Sequence, residues 1–350
     1  MTIIIFLLVL LVCVIAHEWG HFFAARKSGM LVEEFGFGIP PRLWAKKKGE
    51  TLYSINALPI GGFVKIAGEN GLDAGVPDHR QFDTKPWYLK AFVLVAGVVM
   101  NMLLALVLFA SAYMLGMPTA TPDGTPTIVT VAPNSPAQHA GLLVGDTVER
   151  ITINGDEVQA FTTDELRPLV RDGANEVKIL YMRDGSSAEA VLIPEGDEGT
   201  RMIGVGIEPI GIAKLSFFQA IRAAWQQSWS LVGAIWQTLG NLVTGLFTSG
   251  GSAVSGLIGP VGLANEVKGA ASIGFAYLLA FTAVISVNLA VLNIMPFPAL
   301  DGGRLLVVAL EAIFRRKFSR AVVGYIHAIG FLLLIALMVV LTVGDIRKLL

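Results

Sequence analysis

Two histidines four residues apart, His17 and His21, stand in the stretch AHEWGHFFAA (Ala16–Ala25) with Glu18 between them. On a helix that spacing puts both imidazoles on one face. H-E-x-x-H is the pattern in which two imidazoles hold zinc and the glutamate acts as general base on a water. The setting sharpens this reading: the fifteen residues before Ala16 are almost wholly apolar, and ionisable groups within a membrane span are costly and mark function. A catalytic zinc takes three protein ligands and keeps a fourth position open. Of the other three histidines, His79 and His139 fall in loop or surface stretches, and His327 reads as a packed or hydrogen-bonded helix residue. A carboxylate at membrane depth is the better third ligand, and Asp301 in PALDGG supplies one.

The elements that must position these groups are legible from hydropathy. Of 350 residues, 54% are hydrophobic and only 15% charged, against about 25% charged in soluble domains, so the chain reads as a membrane protein. A net charge of −1 gives no basic excess, which excludes nucleic acid as a partner. The one cysteine, Cys13, rules out an intrachain disulfide and reads as a small buried apolar residue. Four apolar segments, 1–25, 90–116, 272–314 and 321–345, are long enough to cross a bilayer, which takes about 20 helical residues. The third is interrupted by NIMPFPALDGG, whose prolines break a helix. The first lacks a basic leader and a small-residue cleavage site, so it is expected to be a retained span rather than a signal peptide.

Charge sets the expected orientation. The connection from Arg26 to Lys90 holds ten Lys and Arg, and RRKFSR (Arg315–Arg320) follows the third span; both are expected to be cytoplasmic. Met117–Lys214 holds seven basic and fifteen acidic residues, which suits the opposite side, together with both termini. A first span entering from outside near Thr2 carries His17 about 22 Å along its axis at 1.5 Å per residue. That nears the inner face of a core about 30 Å thick. The broken third span brings Asp301 to the same inner half.

Between spans two and three lie two different segments. Residues 126–210 read as an extracytoplasmic α/β module, with strands in TIVTVAP, DTVERITING, NEVKILYMRDG and MIGVGIEP and a helix through TTDELRPLVRD. Residues 215–250 put Phe218, Ile221, Trp225, Trp229, Val232, Trp236, Leu239 and Val243 on one helical stripe, the pattern of one or two amphipathic interfacial helices. The loop 26–89 is expected to be β-rich and membrane-associated, with Val64 and Ile66 on a strand edge where an unwound substrate could pair.

HEWGH in the first span and NIMPFPALDGG in the third together resemble the site-2 protease family of intramembrane metalloproteases. The likeness is closest to the bacterial regulator-of-sigma-E protease group. YSINALPIGGFVKIAGE (Tyr53–Glu69), AGVVMN (Ala96–Asn101), SPAQHAGLLVGDTVERITINGDEV (Ser135–Val158) and IGPVGLAN (Ile258–Asn265) fall in the family's order. The resemblance implies a polytopic α-helical membrane protein of about four transmembrane helices, with the β-rich loop and an inserted PDZ-like α/β domain. It implies Zn2+ held by His17, His21 and Asp301, Glu18 as general base and acid, and Asn293 holding substrate backbone near the scissile bond. Substrates would be single-span membrane proteins in the lipid bilayer, such as pre-trimmed anti-sigma factors or signal peptide remnants. The location would be the bacterial cytoplasmic (inner) membrane. AGVVMN departs from the family in lacking a proline, and no role is assigned to Asn101 on that basis. The competing reading is an inactive membrane scaffold that binds partners through the PDZ-like domain; retention of all four site residues argues against it. A metal transporter would need repeat symmetry that four spans do not offer.

Overall fold

The computed structural model describes residues 2–69, 71, 73–132, 134–159, 161–183, 185–197, 199–248 and 259–349. Ile258, with which IGPVGLAN begins, and residues 249–250 of the expected interfacial helices lie outside them. The chain forms two compact units, Met1–Leu115 with Ser216–Leu350, and Gly116–Leu215.

The first unit opens with α1 (Thr2–Lys27), whose Arg26 and Lys27 close its last turn, where cations favour the helix dipole. A long hairpin follows, β1 (Val32–Lys48) and β2 (Thr51–Ile66), then α2 (Trp87–Leu115). The hairpin is more than two strands side by side. Residues 32–37 pair with 62–66 on one side and with 52–55 on the other, while 44–48 pair with 51–55. Both strands therefore bend back, giving four runs in the order 62–66, 32–37, 51–55, 44–48, in which 32–37 and 51–55 run parallel and the two outer pairings are antiparallel. Among the described residues no strand pairs with the outer edge of 62–66. Phe22, Ala24, Ala25, Met30, Val32, Ile66 and Val93 form the core that seats this sheet on α1 and α2, with Phe35 and Tyr53 in ring contact with Phe22.

The second unit, described on its own, holds β3 (Met117–Val131), α3 (Pro136–His139), β4 (Thr147–Ile153), β5 (Asp156–Val158), α4 (Thr163–Arg171), β6 (Val177–Arg183), β7 (Ser186–Leu192) and β8 (Val205–Ala213). Its sheet runs β7-β6-β4-β3-β8, with β5 on β4. Thr162 and Glu165 form a reciprocal capping box that starts α4. Asp146 is buried and takes two bonds from Arg183, at 2.7 and 2.6 Å, and one from the Leu143 N–H at 2.8 Å. Burial alone would raise its carboxyl, but these partners hold it below the usual carboxylate range. The four expected strands and the helix are present. β5 and β7 are additional.

The chain returns to the first unit with α5 (Phe217–Thr248), α6 (Pro260–Ile273), α7 (Phe275–Ile294), α8 (Asp301–Phe314) and α9 (Arg320–Leu349). Among the described residues four helices, α1, α2, α7 and α9, are long and apolar enough to cross a membrane; the chain is a multi-pass membrane protein. The third segment breaks at Met295–Leu300, as its prolines require. α5 is one helix that packs on α2 and α7. Among its described side chains the buried ones are small, Ala220, Ala224 and Ser228, whereas Phe218, Trp225, Trp229 and Trp236 are exposed. The aromatic stripe is thus the face turned away from protein, and the close-packed face is the small-residue one typical of helices meeting in lipid.

Two clasps tie the loops to these helices. Asp83 receives Lys317 at 3.0 Å, Arg320 at 2.7 Å and Lys90 at 3.5 Å. Burial would raise the Asp83 carboxyl, and the surrounding cations hold it low instead. This places the basic RRKFSR turn beside the 26–89 loop, on one side of the helices. Asp345 caps the start of α6 by accepting from Gly259 N–H at 3.1 Å and Gly262 N–H at 2.7 Å.

Candidate metal centre

α1 puts His17 and His21 one turn apart on the face that meets α2 and the start of α8. The His17 and His21 Nε2 atoms are 3.1 Å apart, and Asp301 Oδ2 lies 3.0 Å from the first and 3.1 Å from the second. Among the described residues these are the one group of three His, Cys or acidic side chains placed to share a metal ion. Zinc bound tetrahedrally at about 2.0–2.1 Å separates its ligands by roughly 3.3 Å, close to this triangle. Asp301 Oδ2 is buried and makes no hydrogen bond among the described residues, a cost that a cation between the three atoms removes. His21 Nδ1 stands 2.8 Å from the Val93 carbonyl. It must donate there, so the Nε2 lone pair is left for the metal, the usual outer support of a ligating histidine. The residues fit a zinc ion.

Glycines allow these groups to converge. A Cβ on Gly97 would lie 2.6 Å from His21 Nε2 and 2.7 Å from His17 Cε1, so α2 passes directly against both rings. One on Gly20 would collide with the Ala96 carbonyl, and on Gly302 and Gly303 with the carbonyls of Met295 and Phe297. Small residues thus bring α1 onto α2 and tuck the start of α8 beneath the proline loop. That loop turns at Ala299, which has φ 77°, and the Ala299 N–H donates to His327 Nδ1 at 2.9 Å. His327 is therefore a hydrogen-bonded helix residue, two positions from the site by sequence through Ala299, and not a ligand. His79 and His139 are exposed and take no part.

A cavity of about 300 Å³ opens onto the centre, lined in part by Glu18, Gly62, Asn101, Asn293 and Asp301. The structure therefore brings Glu18 and Asn293 beside the His–His–Asp cluster. Val64 and Ile66 do not line this cavity. Ile66 is buried in the hairpin core and Val64 packs against it, while Gly62, at the start of the same run, touches α1 near Val14 and Glu18. Sequence reasoning missed Gly97 and the Val93 carbonyl. Gly97 sits in the quoted AGVVMN, but only the helix crossing reveals its purpose.

Two histidines and a carboxylate converging among lipid-crossing helices define an integral membrane protein with a built metal-binding centre. The chain belongs to peptidase family M50, whose model matches residues 5–337. It is 35% identical over 347 residues to a Clostridium perfringens protein, covering 99% of this chain and 98% of that one. It is 33% identical over 345 residues to one from Clostridium acetobutylicum, covering 99% and 97%. It is 29% identical over 431 aligned positions to the zinc metalloprotease RasP of Oceanobacillus iheyensis, covering 99% of each.

Gly97→Val should drive the two imidazoles apart. Zinc binding by the purified protein is expected to weaken at least about 10-fold, the scale of losses when groups supporting the ligands are disturbed; unchanged affinity would show that α2 does not hold the rings.

Proposed function

We propose that this protein is an intramembrane zinc endopeptidase of the site-2 type, cleaving transmembrane segments of single-span membrane proteins. The observation that carries the proposal is the His17–His21–Asp301 triangle beside Glu18, set on helices apolar enough to lie in lipid. Zinc, when bound, supplies Lewis-acid polarisation of a carbonyl and acidifies a water, the chemistry that peptide hydrolysis lacks in a bilayer. Glu18 takes a proton from the attacking water on its carboxylate and passes it to the amide nitrogen as the C–N bond breaks. Asn293 holds the substrate backbone. The 62–66 run, with Val64 and Ile66, offers its unpaired edge to a substrate unwound at its inner end. The 26–89 loop and the 315–320 turn face the cytoplasm, and both termini and the 126–210 domain face the outside of a bacterial cytoplasmic membrane. Pre-trimmed anti-sigma factors and signal peptide remnants suit such a site.

The 126–210 domain is taken as PDZ-like, serving as a size filter against substrates with bulky outer parts rather than as a receptor for chain ends. Deleting residues 127–209 should admit untrimmed substrates; abolished cleavage of all substrates would point to the receptor.

Glu18→Gln tests the chemistry. Zinc content should stay at the wild-type level while cleavage of a single-span substrate falls by about 10²–10⁴-fold, the range for a general base. Cleavage near the wild-type rate would remove Glu18 from the mechanism, and a wild type that binds zinc but cleaves nothing would favour the scaffold reading. In the same assay Val64→Pro should lower cleavage more than zinc binding, and equal loss of both would count against strand pairing.

A further inference from the structure

Asn101, on α2, is fully buried, with none of its surface exposed. Among the described residues neither its amide nitrogen nor its amide oxygen has a hydrogen-bond partner. Its main-chain carbonyl is engaged, accepting from Ser286 Oγ at 2.8 Å, so the orphaned groups belong to the side chain alone. Asn101 lies one helical turn beyond Gly97, the residue against which His17 and His21 rest, and therefore on the same face of α2. It lines the cavity that opens onto the metal centre, together with Glu18 and Asn293. A buried amide with both its donor and its acceptor unpaired is uncommon and calls for a specific reason.

The reason follows from what must enter the cavity. A transmembrane helix cannot be cut while its carbonyls are locked in i→i−4 bonds. Once it is unwound, each freed peptide group carries an N–H and a C=O that lipid cannot satisfy. A carboxamide can donate to a peptide carbonyl and accept from a peptide N–H at once, through two separate atoms. We propose that the Asn101 side chain is a substrate-binding group, whose amide pairs with a peptide group of the unwound substrate beside the scissile bond. The orphaned amide of the free protein and the orphaned peptide group of the substrate satisfy each other. The assignment rests on the protease reading and adds a second contact to the substrate backbone besides Asn293.

The test compares full-length wild type, Asn101→Leu and Asn101→Ala in detergent. The probe is a synthetic single-span helix with a fluorophore and a quencher at its ends. Zinc per chain and the thermal unfolding midpoint are measured alongside kcat and KM. The Leu variant should keep wild-type zinc and unfold at an equal or higher temperature, because an unsatisfied buried amide has been removed. Its KM should rise and its kcat/KM fall by about 10–100-fold, the loss expected from one substrate hydrogen-bonding group. The Ala variant, which adds no atoms, should show the same kinetic loss. A kcat/KM within twofold of wild type in both variants overturns the proposal. So does a fall in zinc or unfolding midpoint that matches the loss of cleavage, since that marks Asn101 as packing, and so does a lower kcat at unchanged KM, which places the amide on the water. A wild type that holds zinc yet cleaves no probe defeats the protease reading itself, and Asn101 with it.

Discussion

Histidines and carboxylates are expensive to hold in an apolar layer, and this fold gathers two histidines and an aspartate at one point within it. The approach of His17, His21 and Asp301 to within 3.1 Å joins the first helix of the chain to a residue 280 positions after His21. Without a cation between them, three buried polar atoms would crowd one another with too few protons to share. With one, each finds its partner. The broken third segment, the hydrogen bond that His21 donates to the Val93 carbonyl and the turn at Ala299 can all be understood as conditions for that meeting.

Close approach of backbones is the second condition. Hydrophobic burial does little to draw helices together in lipid, so packing contact must do it. Gly20 against Ala96, and Gly97 against the imidazoles, remove the side chains that would otherwise hold α1 and α2 apart. The same device recurs where Gly302, Gly303 and Gly330 let α8 and α9 close around the proline loop. α5 follows this rule too, meeting the other helices through Ala220, Ala224 and Ser228 and leaving its tryptophans outward.

Features set by local sequence were legible before the fold. The i, i+4 spacing of His17 and His21 needs only a helix, and the break before Asp301 needs only the prolines. Asp301 could be matched to the histidines because helix rise converts position into depth. The four-run order of the hairpin was not legible, because pairing across bends depends on contacts between residues far apart in sequence. Nor was the purpose of Gly97, since a glycine in an apolar run looks the same whether it faces lipid or an imidazole. The aromatic stripe of α5 identified an amphipathic helix, but hydropathy could not say which face meets protein when the solvent is lipid. Asn101 is given no role from AGVVMN for a related reason: a missing partner is visible only when every neighbour is in place.

The central claim is that spans one and three jointly hold one metal ion. It is tested most directly by the zinc content per chain of the detergent-purified protein, wild type against Asp301→Ala. The account predicts about one zinc per wild-type chain, as expected for a single three-ligand centre, lost or sharply weakened in the variant. Little zinc in the wild type, or zinc held equally well without Asp301, would contradict it.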